Sequence, residues 1–361
     1  MPMLDPNFSP RRVLLIKPSA LGDVVHALPI LNLLHRRWPD ARISWLVNST
    51  FAELLEGHPQ LERVIRFDRD RLANSWWNPG ALRDLGRFIG ALRDEHFDLV
   101  VDLQGLLRSG LAARLSRASH RVGFANAREL AWLFYTDRVR IDHRQHAMQR
   151  YLALAAAIGC GSEPVEFLFP VTDDDRRTIR DVAPDSPFVV LLPGTNWPTK
   201  RWPVERFAAV VEPLARRFGL QSVVAGGADV NDIAVQIPGA VNLAGRTTLR
   251  QLVALLERAD LVIANDSGPM HIAAALNRPL VTLFGPTNPD RTGPWGRDDA
   301  VLRIDIPCSP CYSRRCSHQS CLKWIGSEDV LAQVNIALAK RSGKGGHVNE
   351  LATDGAQTST D

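Results

Sequence analysis

The sequence predicts an α/β protein made of two parallel-sheet domains that face each other across a cleft. Three observations predict it. Short β-rich runs alternate with helical stretches, the alternation restarts half-way along, and 361 residues exceed what one typical core fills. A Pro- and Asp-rich stretch, residues 169–187, separates the halves and sets the expected domains at 1–175 and 186–340.

The first half begins with an apolar run, Val13 to Ile16. A helical pattern follows from Leu21 to Trp38, with Val24, Val25, Leu28 and Leu31 on one side and Pro29 as the expected kink. Ile43 to Val47, Val64 to Phe67 and Leu99 to Leu103 then read as strands, giving a Rossmann-like succession. The second half repeats it with Phe188 to Leu192, Gln221 to Ala225, Val241 to Leu243, Leu261 to Ala264 and Leu280 to Phe284. Beyond about Lys340 the chain is polar and Gly-rich without periodicity, so residues 341–361 read as a disordered tail.

Composition narrows the function classes. With 45% hydrophobic and 23% charged residues the chain is of the soluble globular kind, and no apolar run approaches the ~20 residues that span a bilayer. The first residues lack the apolar stretch of a signal peptide, which places the chain in the cytoplasm with its cysteines reduced. A formal charge of +4 suits an acidic partner or an anionic membrane surface. Nucleic acid is disfavoured, because Lys and Arg are dispersed and no recognised binding motif occurs.

Ligands of open α/β sheets bind outside the carboxyl ends of the strands, which singles out three turns. The first runs from Lys17 to Asp23 and places Asp23 at a helix start. There the helix dipole favours a carboxylate that can take up a proton, although local sequence alone favours an ordinary capping aspartate. The second runs from Pro193 to Lys200 and sets Thr195 and Lys200 beside a strand end, where Lys200 suits a diphosphate; a solvated lysine is the alternative. The third, Asp266-Ser267-Gly268-Pro269, opens a helix of small residues. Asp266 or Ser267 is expected to cap it, and Gly268 to let an anion approach the free N–H groups. An ordinary αβ unit accounts for that segment equally well.

Two metal-like patterns remain. Asp68-Arg69-Asp70 has the form of a DxD site but reads more simply as a charged turn, and Asp173-Asp174-Asp175 as an acidic helix start. Cys308, Cys311, Cys316 and Cys321 form CxxCx4Cx4C, a spacing that permits a tetrahedral Zn site. The interval between the pairs is shorter than in common zinc modules, which weighs against it. Cys160 reads as an isolated buried thiol.

Taken together, VLLIKPSALGDVVHALP, VVDLQGLLRSGLAARL, the Gly-Thr turn with KRWP, LAGRTTLRQL, and NDSGPMHIAAAL with LFGPT resemble the lipopolysaccharide heptosyltransferases of glycosyltransferase family 9. The resemblance spans about residues 12 to 335. VGFANARELAWLFY followed by RQHAMQRYL is similar to the heptosyltransferase I branch more than to heptosyltransferase II, while the cysteine cluster occurs in many members but not in all of the first branch. The resemblance implies a GT-B architecture and transfer of L-glycero-D-manno-heptose from ADP-heptose to Kdo of the lipid A inner core, with inversion and without a metal in the chemical step. It makes Asp23 the base. It assigns donor binding to Thr195, Lys200, Asp266, Ser267, Gly268 and His271, with Asn242 and Arg246 near the nucleotide. It assigns acceptor binding to Ser19, Gly22, Arg128, His146 and Arg150, with Arg108 and Arg114 as further cations on that side. A monomer at the cytoplasmic face of the inner membrane is implied, where Arg71, Trp76 and Trp77 would lie near the lipid, although a Trp pair packs inside a domain more often. A different sugar transfer within the family, a sugar-nucleotide epimerase, or a nucleotide-sugar-binding protein without catalysis are the alternatives.

Overall fold

The computed structural model describes residues 3–67 and 79–341. The apolar runs build two six-stranded sheets in which every pairing is parallel. The first contains β1 (Arg12–Ile16), β2 (Arg42–Asn48), β3 (Arg63–Phe67), β4 (Leu99–Asp102), β5 (His120–Phe124) and β6 (Asp137–Val139), in the order β3-β2-β1-β4-β5-β6. The second contains β7 (Phe188–Leu192), β8 (Gln221–Val224), β9 (Val241–Asn242), β10 (Leu261–Asn265), β11 (Leu280–Phe284) and β12 (Val301–Arg303), in the order β12-β11-β10-β7-β8-β9. Both therefore follow the doubly wound pattern. The strand order reverses between β1 and β4 and between β7 and β10, the places where such sheets open a crevice.

β7, β10 and β11 are buried along their whole length because helices cover both faces, so their sequences are apolar throughout. The sequence reading missed β5, β6 and β12. Their sequences, HRVGF, DRV and VLR, are short and charged because β6 and β12 are sheet edges and β5 lies beside one. The linker is not structureless: Asp173–Val182 is a helix, with Thr172 and Asp175 forming a reciprocal capping box. Arg176 ties it to the second domain through Glu257 at 3.0 Å. Asp68, Asp70, Arg71, Trp76, Trp77 and residues 342–361 lie outside the described residues. Among the described residues, no helix is long and apolar enough to cross a membrane.

The domains meet through the helix Leu21–Arg37 of the first and the helix Gly268–Ala275 of the second. One apolar cluster runs from Val24, Leu28 and Leu31 to Met270 and Ile272 across the seam. Two glycines set the approach. A Cβ on Gly22 would fall 2.3 Å from Cδ2 of His271, and one on Gly268 would fall 2.7 Å from Cβ of Leu21. The missing side chain of Gly268 thus makes room for the opposite domain, a role not foreseen from its turn. Gly22→Ala is expected to cost about 1–3 kcal/mol, the usual penalty of overpacking, and to be seen as a lower midpoint in chemical unfolding.

Candidate active site

Between the carboxyl edges of the two sheets lie two cavities, of about 530 Å³ and 590 Å³. Asp23 lines both. It sits in the first turn of its helix, where its Oδ2 accepts from Ala20 N at 3.2 Å and lies 3.6 Å from Lys17 Nζ, while Oδ1 accepts from Tyr151 Oη at 3.0 Å. Burial pushes the Asp23 carboxyl up, but Lys17, the Tyr151 hydroxyl and the Ala20 N–H outweigh it and hold it below the usual carboxylate range. Burial lowers the Lys17 ammonium, against the pull of Asp23 and Asp102. Asp23 is 37% exposed, which leaves its oxygens open toward the cavities.

The smaller cavity is cationic. Arg128, His143 and Arg150 of the first domain line it, together with Gln104 and Asn126. Its floor is fixed by Asp102 at the end of β4, which is fully buried, accepts from Tyr135 Oη at 2.6 Å and from Gln104 N at 2.8 Å, and so shapes the turn that exposes Gln104.

The larger cavity collects the second and third turns. Lys200 Nζ pairs with Asp266 Oδ2 at 2.7 Å and stands 4.8 Å over the Trp197 ring; Thr287 Oγ1 donates to the same oxygen at 2.5 Å, and Thr195 Oγ1 to the Asp266 carbonyl at 3.1 Å. Asn265 locks these two turns together, donating to Pro193 O at 2.8 Å and accepting from Trp202 N at 3.1 Å. Ser267 occupies the cap position of the helix Gly268–Ala275 but its side chain makes no cap bond, and its buried Oγ has no partner among the described residues. The helix start therefore keeps free donors toward the cavity, an arrangement suited to an anion.

All six main donor candidates, Thr195, Lys200, Asp266, Ser267, Gly268 and His271, line this larger cavity. Arg128 and Arg150 line the smaller one. Several other candidates sit elsewhere. Gly22 lines the larger cavity, whereas Ser19, Arg108 and Arg114 line neither. Asn242 and Arg246 also line neither; they brace each other at the end of β9, with Arg246 Nη1 3.3 Å from the Asn242 carbonyl. His146 is buried in the domain seam, its Nε2 3.1 Å from Gly293 O. Sequence reasoning missed Lys17, Gln104, Tyr151 and Arg291. The strand-end rule applied to β4 points to Gln104, whereas Tyr151 and Arg291 carry no local signal.

The cysteines Cys308, Cys311, Cys316 and Cys321 are free thiols. Burial raises the Cys321 thiol, and its three neighbours raise it further. Among the described residues no group of three or more His, Cys, Asp or Glu side chains is disposed to hold a metal, so the spacing has not produced an assembled Zn ligand set.

The sequence profile of Glycosyltransferase family 9 (heptosyltransferase) matches residues 85–322. Lipopolysaccharide heptosyltransferase 1 of Pseudomonas aeruginosa is 34% identical over 85% of this chain and 88% of its own length. The chain belongs to glycosyltransferase family 9. The heptosyltransferase 1 of Escherichia coli K12 is 30% identical over 81% of this chain and 93% of its own. The structure of E. coli heptosyltransferase WaaC with ADP-2-deoxy-2-fluoro heptose superposes with a TM-score of 0.74 at 27% identity, covering 90% of this chain and 99% of that one. The architecture is that of a family 9 heptosyltransferase, two parallel-sheet domains around one cleft.

Three imidazoles line the seam beside Asp23. His26 lies 4.5 Å from His271 and 5.2 Å from His146 between ring centroids. Burial lowers all three, His271 to about 4, so they are neutral at pH 7. Because the unfolded chain takes up the His271 proton near the ordinary value of 6.5 and the folded chain only near 4, stability is complete above about pH 6.5 and falls as pH drops toward 4. His271 alone accounts for about 3 kcal/mol of that loss. Urea unfolding at stepped pH is expected to show the decline, and His271→Gln to flatten it.

Proposed function

We propose that the chain moves L-glycero-D-manno-heptose from ADP-heptose to a Kdo sugar of the lipid A inner core, inverting the anomeric carbon. The place of Asp23 on the wall of both cavities carries this reading. A base at that point reaches an acceptor hydroxyl from one side while the anomeric carbon of the donor faces it from the other. The smaller, cationic cavity suits the carboxylate-bearing acceptor; the larger one, with Lys200 and the helix start at Gly268, suits the nucleotide diphosphate.

In the reaction the acceptor oxygen forms its bond to the anomeric carbon as the bond to the diphosphate oxygen breaks, and the electron pair leaves with ADP. Asp23 takes the hydroxyl proton. With its acidity raised by Lys17 and Tyr151 it is a weak base, so proton transfer is favourable only once the new C–O bond has drawn charge from the oxygen. Lys200, the neutral His271 and the N–H groups of the helix Gly268–Ala275 receive charge on the departing diphosphate. These groups supply the electrostatic role that a divalent ion fills in other sugar transfers, so the chemical step is assigned no metal. The lipid acceptor implies work at a membrane surface, by a monomer.

Mass measurement of Kdo-lipid A after incubation with ADP-heptose tests the reading: a gain of one heptose is expected, and no gain with this donor overturns it. Asp23→Ala is expected to lower turnover by about 10²–10⁴-fold while ADP-heptose binding survives. Lys200→Ala is expected instead to raise the donor KM, and excess chelator to leave turnover unchanged.

A further inference from the structure

The smaller cavity is walled by the first domain except at one point. Arg291 reaches it from the second domain, carried on the single helical turn Pro289–Thr292 that follows β11. That turn is tightly held: Asn288 Oδ1 accepts from Asp290 N at 3.0 Å, and Gly293 N donates to Pro289 O at 2.6 Å. Its end is docked on the first domain through the contact of Gly293 O with His146 Nε2 at 3.1 Å. The adjacent Thr292 lines the larger cavity, so two consecutive residues face the two cavities.

Arg291 stacks near Tyr312, its guanidinium 5.7 Å from the ring centroid. Among the described residues no carboxylate pairs with it, and its Nε is buried without a hydrogen-bond partner; the same is true of Arg150 Nε elsewhere on this cavity. Two guanidinium groups set on opposite domains around one cavity present forked donors that suit a carboxylate or phosphate between them.

We propose that Arg291 binds an anionic group of the acceptor and thereby couples acceptor binding to donor binding. The proposal rests on the reading of the smaller cavity as the acceptor site. A donor seated against Thr292 steadies the turn that presents Arg291, and an acceptor anion held between Arg150 and Arg291 draws the second domain onto the first. By linkage the two effects are equal in size.

Calorimetric titration of Kdo-lipid A in detergent, with and without saturating ADP, tests this on the full chain and three variants. In the unmodified protein ADP is expected to tighten acceptor binding about 5-fold or more, the lower end of ordinary coupling. Arg291→Met is expected to abolish that enhancement while its own ADP affinity, which also reports correct folding, is kept. Arg291→Lys is expected to regain part of it. Arg128→Met, which removes a cation of the first domain, is expected to weaken the acceptor in both conditions and keep the enhancement. An acceptor stripped of its lipid A phosphates supports the carboxylate as the bound group if the Arg291 dependence remains, and the phosphate if it disappears. Full enhancement in Arg291→Met overturns the role of Arg291 alone. Failure of the unmodified protein to bind Kdo-lipid A overturns the acceptor reading and this role with it.

Discussion

The close contact of two helix starts across the cleft is the constraint on which the rest of the structure depends. Gly22 accepts the His271 ring where its own side chain would stand, and Gly268 accepts Leu21 in the same way. With both glycines bare, the helices Leu21–Arg37 and Gly268–Ala275 bring their first turns together. In the proposed reaction each first turn carries a different half of the chemistry. One presents a carboxylate, Asp23, in its own dipole field; the other keeps N–H donors unclaimed by a cap. A bulkier residue at either position would move Asp23 away from the helix start at Gly268, although neither glycine need touch a substrate.

Around that contact, charge is sorted by position. The seam itself is lined with imidazoles that burial keeps neutral, so nothing there repels the approach of the domains. The charges stand one layer out: Lys17 and Asp23 at the end of β1, Lys200 and Asp266 at the ends of β7 and β10. Asp266 is buried and shared among Lys200 and Thr287, which leaves the Lys200 ammonium oriented rather than free to wander.

Much of this was legible in the amino-acid order, and the remainder was not for identifiable reasons. Seven of the nine strands read from the sequence announced themselves because interior strands of a parallel sheet must be apolar on both faces; β3 and β9 are edges that kept enough apolar residues to be seen. HRVGF, DRV and VLR did not, since strands at or near an edge tolerate charge. Asp23, Lys200 and Asp266 were readable because each lies in the turn that follows a strand at a switch point. Tyr151 was not, because it reaches Asp23 from the middle of a helix 128 residues downstream, through a contact that only the tertiary fold creates. His146 and Asn242 show what the amino-acid order does not give: in the structure their side chains hold the seam and the end of β9 and line neither cavity. Within the stretch read as a linker, the helix that Asp173-Asp174-Asp175 announced did form, because Thr172 and Asp175 cap it and Glu257 offers Arg176 a partner.

The lowered pKa of Asp23 also bears on what the proposed reaction would require between turnovers. A base that has accepted a proton must shed it before it can serve again, and a carboxylic acid gives up its proton to water faster the lower its pKa. Lys17 and Tyr151, by favouring the ionised form, would hasten that reset. On the proposed reaction, the way out for that proton is the smaller cavity, which Asp23 lines. A base at that position would then be reset as the product leaves, with no slow ionisation of its own to wait for.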